Sequence, residues 1–343
     1  MNFCSDNVAG AAPEILDAVA RANEGPAAAY GDDELSVRVA QKLADVFECQ
    51  ADVFFVTTGT AANALSLSVM APPYGEIFCH PDAHIQVDEC GAPELFTGGA
   101  KLTPLPSDDG KVHAGDLEAV LTAPDHGVHH VQAAALSITQ ASEAGTVYTP
   151  DEIRTLSTLA HDHGLSVHMD GARFANALVS LGCSPAEVTW KAGVDVLCFG
   201  ASKNGALAAE AVVIFNKTLA ETFAFRRKRG GHLISKMRFL AAQLDAYLEG
   251  DLWLKLARHA NATAAKLAVG LKDVPGVSFM YTPQANEIFV ELPENVILGL
   301  EADGFGFYRW PGDGAKAIRL VTAFNTRDED VNAFIKSAKR HAG

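Results

Sequence analysis

Short apolar runs alternate with stretches of helical spacing through the first two thirds of the chain. Apolar residues recur at helical spacing in residues 33–47, 60–70 and 150–163, and short apolar runs occupy residues 52–56, 76–79, 131–137, 166–169, 195–199 and 211–215. Buried strands separated by helices are typical of a mostly parallel, doubly wound sheet. The pattern therefore predicts an α/β fold for this part of the chain.

The last third of the chain has a different pattern. A long stretch of helical spacing from residue 232 leads to short apolar runs near residues 287–292 and 317–321, and then to a closing helix at 327–339. Strands that follow a long helical stretch, rather than alternating with helices, indicate a smaller α+β domain. We predict a large α/β domain of residues 15–248 and a small domain of residues 1–14 and 249–343.

The charge balance of the 343 residues narrows the classes of partner. Lys and Arg number 27 against 42 for Asp and Glu, so the net charge of -15 repels nucleic-acid phosphates and anionic lipids. Small anionic ligands are not excluded, because a few basic groups and helix amino ends act locally. We predict a small-molecule substrate and neither nucleic acid nor a membrane as partner.

The cysteines and the amino-terminal segment bear on the cellular compartment. The six cysteines form no Cys-x-x-Cys pair, and some lie in apolar runs, where cysteine behaves as a small apolar residue. The first twenty residues carry no basic stretch ahead of an apolar one, and no later segment offers about eighteen uncharged apolar residues. We predict a cytoplasmic protein with reduced thiols.

Two side chains suited to a carbonyl cofactor follow predicted strands. Lys203 comes after the strand at 195–199, in Phe-Gly-Ala-Ser-Lys, and Asp170 follows the strand at 166–169. A desolvated lysine can attack an aldehyde, and a carboxylate can keep a pyridinium nitrogen protonated. Alone, a lysine after a strand is usually solvated and Asp-Gly is a turn signal. Together, at the edge where open α/β sheets bind ligands, they indicate pyridoxal 5′-phosphate (PLP) held by Lys203 as a Schiff base.

A phosphate site and an imidazole are predicted at the same edge. Thr58-Gly59-Thr60-Ala-Ala-Asn63 joins a strand to a helix, which would place backbone amides and hydroxyl groups at a helix amino terminus. An ordinary helix cap is the alternative. His84, in Pro-Asp-Ala-His, follows the next strand and would stack on the cofactor ring or move a proton; a structural hydrogen bond is the alternative.

Together these motifs resemble the threonine aldolases of the fold-type I PLP enzymes, close to the low-specificity L-threonine and L-phenylserine aldolases. The resemblance covers nearly the whole chain and rests on Ser5-Asp-Asn, Tyr30-Gly-Asp-Asp, Thr-Gly-Thr-Ala-Ala-Asn63, Asp-Ala-His84-Ile, His-Met-Asp170-Gly-Ala-Arg, Ser-Lys203-Asn-Gly and Ile-Arg319-Leu-Val-Thr. It implies an aspartate-aminotransferase-like large domain and cleavage of L-threonine, L-allo-threonine or L-phenylserine-type β-hydroxy-α-amino acids to glycine and an aldehyde. It also implies a homotetramer, a dimer of dimers with active sites at subunit interfaces.

The resemblance further implies a role for each matching residue. Lys203, His84 and Asp170 would be catalytic: Lys203 would carry the cofactor, Asp170 would hold its pyridine nitrogen, and His84 would stack on its ring. The other expected cofactor-binding residues are Gly59, Thr60, Arg173, Ser202 and, from a neighbouring protomer, Arg238. The expected substrate-binding residues are Ser5, Tyr30 and Gln140, together with Arg173 and Arg319, which would grip the substrate carboxylate.

One departure from the family pattern concerns the substrate's β-hydroxyl group. Where many members have Glu-x-x-His-Asn after the central strand, this chain has Ser137-Ile-Thr-Gln140-Ala, and the run from Arg229 to Arg238 is altered as well. A glutamine can hydrogen-bond a hydroxyl group but cannot take its proton at neutral pH. The base that takes this proton is therefore left open between His84 and an ordered water.

Three other functional hypotheses remain open. A PLP-dependent β-elimination, racemisation or transamination would use the same cofactor residues, because a fold does not define a reaction. A non-catalytic PLP-fold protein would act as a binding or regulatory module. A metal-dependent hydrolase would rest on the histidines at 129, 130, 161, 163 and 168, but His161 and His163 diverge at a helix end, and we predict no metal site.

Overall fold

A seven-stranded sheet forms the centre of the molecule, with its strands in the order β1-β7-β6-β5-β4-β2-β3. The computed structural model describes residues 1–124, 126–310 and 315–343. The strands are β1 Asp52–Val56, β2 Gly75–Cys79, β3 Lys101–Pro104, β4 Gln132–Thr139, β5 Ser166–Gly171, β6 Val196–Gly200 and β7 Glu210–Ile214. Strands β6, β5, β4, β2 and β3 run parallel, whereas β7 runs antiparallel to both β6 and β1. The predicted, mostly parallel sheet is confirmed.

Helices precede and connect these strands. They are α1 Pro13–Ala22, α2 Glu34–Val46, α3 Gly59–Met70, α4 His84–Val87, α5 Ala92–Thr97, α6 Ala114–Leu121, α7 Pro150–Asp162, α8 Phe174–Leu181, α9 Lys217–Arg229 and α10 Arg238–Leu248. Local sequence explains where several begin. At α7, for example, Thr149 and Glu152 form a reciprocal capping box and Pro150 occupies the first turn.

A smaller antiparallel sheet follows, with its strands in the order β10-β11-β9-β8. Its elements are α11 Leu252–Leu271, β8 Ser278–Phe279, β9 Glu287–Glu291, α12 Glu294–Ala302, β10 Tyr308–Trp310, β11 Ala317–Val321 and α13 Asp328–Ala342. Phe3 from the amino terminus packs into its core against Phe334, with ring centroids 5.2 Å apart. This apolar core is separate from the cores of the large sheet, as expected for a large domain with a smaller α+β domain beside it.

The helical pattern from residue 232 proved to be two helices. Gly250 and Asp251 have positive φ angles of 55° and 58°, which end the regular spacing between α10 and α11. Strands β3, β8 and β10 were not predicted, because each is short and β3 and β10 lie at the edges of their sheets. Among the described helices, none is both long and apolar enough to cross a membrane.

Candidate active site

A cavity of about 370 Å³ lies where β4, β5 and β6 end. Its walls come from segments far apart in the sequence, because parallel strands bring their carboxyl ends to one edge of the sheet. The predicted residues that line it are Gly59, Thr60, His84, Asp170, Arg173, Ser202 and Lys203. This volume is within the usual range for a small-molecule site.

Asp170 is held on the floor of the cavity by two hydrogen bonds. The Asn63 side chain donates to its Oδ2 over 2.7 Å, and the Ala172 backbone amide donates to its Oδ1 over 2.9 Å. Beneath it, His168 bonds to Ser137 and Cys198, and burial lowers the pKa of this imidazole to about 4. His168 is therefore neutral, and Asp170 supplies the negative charge at this point.

A hydrogen-bonded chain links Asp170 to His84. The Asn63 amide donates to both Asp170 and Glu89, and Glu89 Oε1 lies 2.8 Å from His84 Nδ1. The bond to Glu89 raises the pKa of His84, and burial raises the pKa of Glu89. The chain positions the imidazole and favours its protonated form near neutral pH.

The amino end of α3 forms the phosphate-sized part of the cavity. Thr58 caps the helix by accepting from the Ala61 amide over 3.1 Å, and the first-turn amides of Gly59 and Thr60 have no carbonyl partner within the helix. A helix amino terminus with hydroxyl groups beside it is suited to an anion. Ser202, in the segment after β6, lines the same cavity.

Arg173 lies in a buried network of charges. Its Nε and Nη2 donate to the two Asp6 oxygens over 2.8 and 3.0 Å, and Nη1 lies 3.1 Å from Glu287 Oε2. Burial opposes ionisation of Asp6, but Arg173 and Lys203 hold its pKa below the usual value. Two of the five guanidinium N–H groups donate hydrogen bonds, both to Asp6, which leaves N–H groups on Nη1 and Nη2 for a ligand.

Two further carboxyl groups line the cavity. Burial raises the pKa of Glu143 to about 7, and burial also raises the pKa of Glu210 to about 7. Glu210 accepts from the Ala201 amide over 3.3 Å, beside Lys203. Groups with a pKa near the working pH are suited to moving protons.

Comparison with known proteins identifies the family. The family model described as beta-eliminating lyase matches residues 2–295. The low-specificity L-threonine aldolase of Pseudomonas aeruginosa is 44% identical over 337 residues, covering 98% of this chain and 96% of that protein. The chain belongs to the threonine aldolases of the beta-eliminating lyase family.

Two more members of the threonine aldolase family agree with this assignment. The low-specificity L-threonine aldolase of a Pseudomonas species is 43% identical, covering 96% of this chain and 94% of that protein. The structure of the Leishmania major threonine aldolase matches 100% of this chain and 99% of its own, with a TM-score of 0.93 and 30% identity. The predicted fold-type I PLP class is confirmed, and PLP is the cofactor of this family.

The cavity residues fit that cofactor. A lysine, a buried carboxylate and a helix amino terminus are the groups needed for its aldehyde, its pyridine nitrogen and its phosphate. Lys203, Asp170 and the segment Gly59–Thr60 offer these groups in one cavity, which His84 also lines.

Not every predicted site residue lies at this cavity. Gln140 is fully buried, its Nε2 donating to the Tyr148 carbonyl over 2.8 Å and its Oε1 accepting from the Tyr148 amide over 3.0 Å. Tyr30 is exposed beneath the Lys228 ammonium group, which lies 4.9 Å from its ring centroid. The structure brings neither residue to the predicted hydroxyl or side-chain position.

Ser5, Arg238 and Arg319 also lie outside the set that lines the cavity. Ser5 caps a short helix beside Asp6, and Arg238 donates to the Gly25 carbonyl over 2.8 Å. Arg319 donates to the Cys4 carbonyl over 3.1 Å and stacks on Tyr308 and Trp310, while its buried Nε has no partner among the described residues. Arg319 therefore keeps an unused donor near the Asp6 segment.

The histidines considered for a metal site are dispersed. His161 bonds to Asp195 over 2.9 Å, whereas His168 is enclosed below Asp170. Within residues 1–124, 126–310 and 315–343, no group of three or more His, Cys, Asp and Glu side chains is arranged to hold a metal ion.

Arg173→Met is expected to lower the free energy of unfolding by about 3–5 kcal/mol at neutral pH, because it leaves Asp6 and Glu287 buried without their cation. The pKa of Asp6 is lower in the folded protein than in the unfolded chain, so ionised Asp6 stabilises the fold above the unfolded-state pKa. This stabilisation is lost as pH falls through the folded-state pKa. The difference in unfolding free energy between the variant and the unmodified protein should therefore become smaller in acid. Urea unfolding from pH 7 to about pH 3, below the ordinary carboxyl pKa, measures this difference, with exposed Arg21→Met as the control. A difference in unfolding free energy that stays constant over this range would contradict the pairing.

Proposed function

We propose that this chain cleaves the Cα–Cβ bond of β-hydroxy-α-amino acids, namely L-threonine, L-allo-threonine and L-phenylserine-type substrates, to glycine and an aldehyde. The observation that carries the proposal is the meeting of Lys203, Asp170 and His84 in one cavity, in a chain 44% identical to a low-specificity L-threonine aldolase. Intact cofactor residues argue against a binding-only role.

Each residue has a task that follows from its position. Bound PLP supplies an electron sink for the bond broken at Cα. Lys203 would supply the amine that holds the cofactor aldehyde, and Asp170 would hold a proton at the pyridine nitrogen. Gly59, Thr60 and Ser202 would bind the phosphate, and His84 would shield the cofactor from water.

Arg173 orients the substrate. Asp6 and Glu287 fix its guanidinium group, so that its remaining N–H groups meet the substrate carboxylate in a defined direction. With the carboxylate and the amine both held, the orientation of the Cα–Cβ bond toward the cofactor would be restricted. Arg319, which has an unpartnered Nε among the described residues and contacts the Cys4 carbonyl, would extend this carboxylate site together with Ser5.

Product analysis tests the proposed reaction. PLP-loaded protein is incubated separately with L-threonine, L-allo-threonine and L-phenylserine, and glycine is quantified together with the matching aldehyde. Glycine and aldehyde in equal amounts are expected, and their rates rank the β-substituents. Pyruvate, an inverted amino acid or a keto acid without glycine would instead indicate a lyase, racemase or transaminase on the same scaffold.

We also propose that the active site is shared between protomers of a homotetramer in the cytoplasm. Arg238 lies away from its own cavity in a strongly basic segment, residues 226–238, of a chain with a net charge of -15. The apolar side chain of Leu207 lines the cavity and is exposed in the single chain. A neighbouring protomer that covers Leu207 and brings its Arg238 to the phosphate would account for the position of Arg238 outside its own cavity and for the exposure of Leu207. The six free cysteines support a reducing compartment.

Hybrids of two inactive variants should test the shared site. Co-refolded Lys203→Ala and Arg238→Ala protomers form a hybrid dimer with one intact site if Arg238 acts across the interface. Activity should then exceed the sum of the two separate variants. If Lys203 and Arg238 instead act within the same protomer, the hybrid has no intact site and its activity shows no gain. An active monomer in size-exclusion chromatography would also contradict the proposal.

A further inference from the structure

We propose that Glu143 is the catalytic base that takes the proton of the substrate's β-hydroxyl group. This inference rests on the proposed retro-aldol reaction and names a residue for the step that the sequence left open between His84 and water. Glu143 was not among the residues predicted from the sequence.

The position of Glu143 supports this role. It lines the cavity, and its Oε1 accepts a hydrogen bond from the His84 backbone amide over 2.9 Å. Its Oε2 is buried and has no hydrogen-bond partner in the described part of the chain. One oxygen thus anchors the carboxyl group, and the other is left with its lone pairs unused, which is costly unless a ligand or proton satisfies it.

Glu143 lines the cavity together with the residues expected at the two ends of the substrate, His84 and Arg173. His84 marks the cofactor ring on one side, and Arg173, expected at the substrate carboxylate, is close enough for each charge to affect the other. The other titratable groups that sense Glu143 are Asp170, Cys79 and Tyr148. The β-hydroxyl group is carried by Cβ, which is bonded to the Cα that joins those two ends, so it falls within the same part of the cavity.

The proton affinities of Glu143 and His84 also favour Glu143. Burial raises the pKa of Glu143 to about 7, so that its ionised form is available just above neutral pH and is a stronger base than an ordinary carboxylate. The bond to Glu89 raises the pKa of His84, which favours the protonated imidazole, a hydrogen-bond donor, and so makes His84 the less suitable base. Gln140 is excluded by its bonds to Tyr148.

The cleavage needs no reactant other than the substrate and the enzyme. Glu143 Oε2 takes the hydroxyl proton, and the O–H electron pair becomes the second bond of the aldehyde C=O. The Cα–Cβ pair stays with the glycine portion, which gains a proton at Cα, while Glu143 loses its proton to solvent. The forward addition of glycine to an aldehyde reverses each transfer.

Glu143→Gln separates this step from the rest of the chemistry. The variant keeps an amide oxygen for the His84 amide but cannot take a proton, so kcat for L-threonine cleavage should fall by about 10²–10⁴-fold. Exchange of the glycine α-proton with deuterated solvent, which NMR can monitor, requires the cofactor site but no β-hydroxyl group. The exchange rate of the variant should stay within about threefold of the rate of the unmodified enzyme. Glu118→Gln, at an exposed position on α6, is the matched control and should change neither rate.

The pH profile gives an independent readout. In the unmodified enzyme, kcat/KM for cleavage should fall on the acid side as Glu143 becomes protonated, and Glu143→Gln should lose that limb while Glu143→Asp retains it at a reduced rate. Cleavage by Glu143→Gln within threefold of normal would overturn the proposal. Equal loss of cleavage and exchange would also overturn it, since Glu143 would then support the whole site. An unmodified enzyme that exchanges glycine but cleaves no substrate would refute the proposed function itself.

Discussion

Lys203→Ala should lower turnover by more than about 10⁴-fold, because it removes the nucleophile that holds the cofactor aldehyde and its proton-transfer capacity. PLP should still bind through the α3 amino end and Asp170, but without the visible absorbance of a lysine-bound cofactor. Spectra of the reconstituted protein and glycine assays measure the two effects separately. The loss should be larger than for any other single change at the site.

Lys191→Ala is the matched control, because Lys191 is an exposed lysine paired with Glu48 away from the cavity. Its spectrum and turnover should equal those of the unmodified enzyme. If Lys203→Ala retained the lysine-bound absorbance or full turnover, another amine would have to carry the cofactor, and the assignment of the cavity would be wrong.

Asp170→Asn should lower turnover by about 10²–10³-fold while leaving most cofactor binding in place. The asparagine keeps an acceptor for the Ala172 amide but has no charge to hold a proton on the pyridine nitrogen. The neighbouring His168 cannot replace that charge, because an imidazole is neutral or positive, and burial, which lowers its pKa to about 4, keeps it neutral. Turnover assays and ¹⁵N NMR of labelled cofactor, which reports protonation of the ring nitrogen, give the two measurements.

Asp151→Asn provides the comparison, since Asp151 is exposed on α7 and pairs with Arg154. It should leave turnover unchanged. A protonated ring nitrogen in Asp170→Asn, combined with normal turnover, would show that Asp170 is structural. The His84–Glu89–Asn63 chain would then need another explanation, because it ends on this carboxylate.

Much of the site was predictable because its residues follow strands. A short apolar run predicts a buried strand, and in a parallel sheet the residues that follow the strand lie at the ligand-binding edge. This reasoning placed Asp170, Lys203, His84 and the Thr58–Asn63 segment without knowledge of their contacts. It could not foresee that Gln140, also just beyond a strand, turns inward to bond Tyr148.

Glu210 shows where that reasoning fails. Glu210 is the first residue of β7, and in a parallel sheet the first residue of a strand lies at the edge opposite the ligand-binding edge. Because β7 runs antiparallel to β6, Glu210 pairs with Gly200 and reaches the cavity beside Lys203. Strand direction depends on how the connecting chain crosses the sheet, and the apolar pattern of a strand is the same in both directions.

The sequence by itself determined the α/β class, the cofactor and the residues at the strand ends, because these follow from periodicity and from chemistry carried by local motifs. Only the tertiary structure decided which charges meet. Arg173 pairs with Asp6, 167 positions away, and Glu143 contacts the amide of His84, 59 positions away. The environment of a buried carboxyl group is made by distant segments, and that environment sets its pKa and therefore its chemistry.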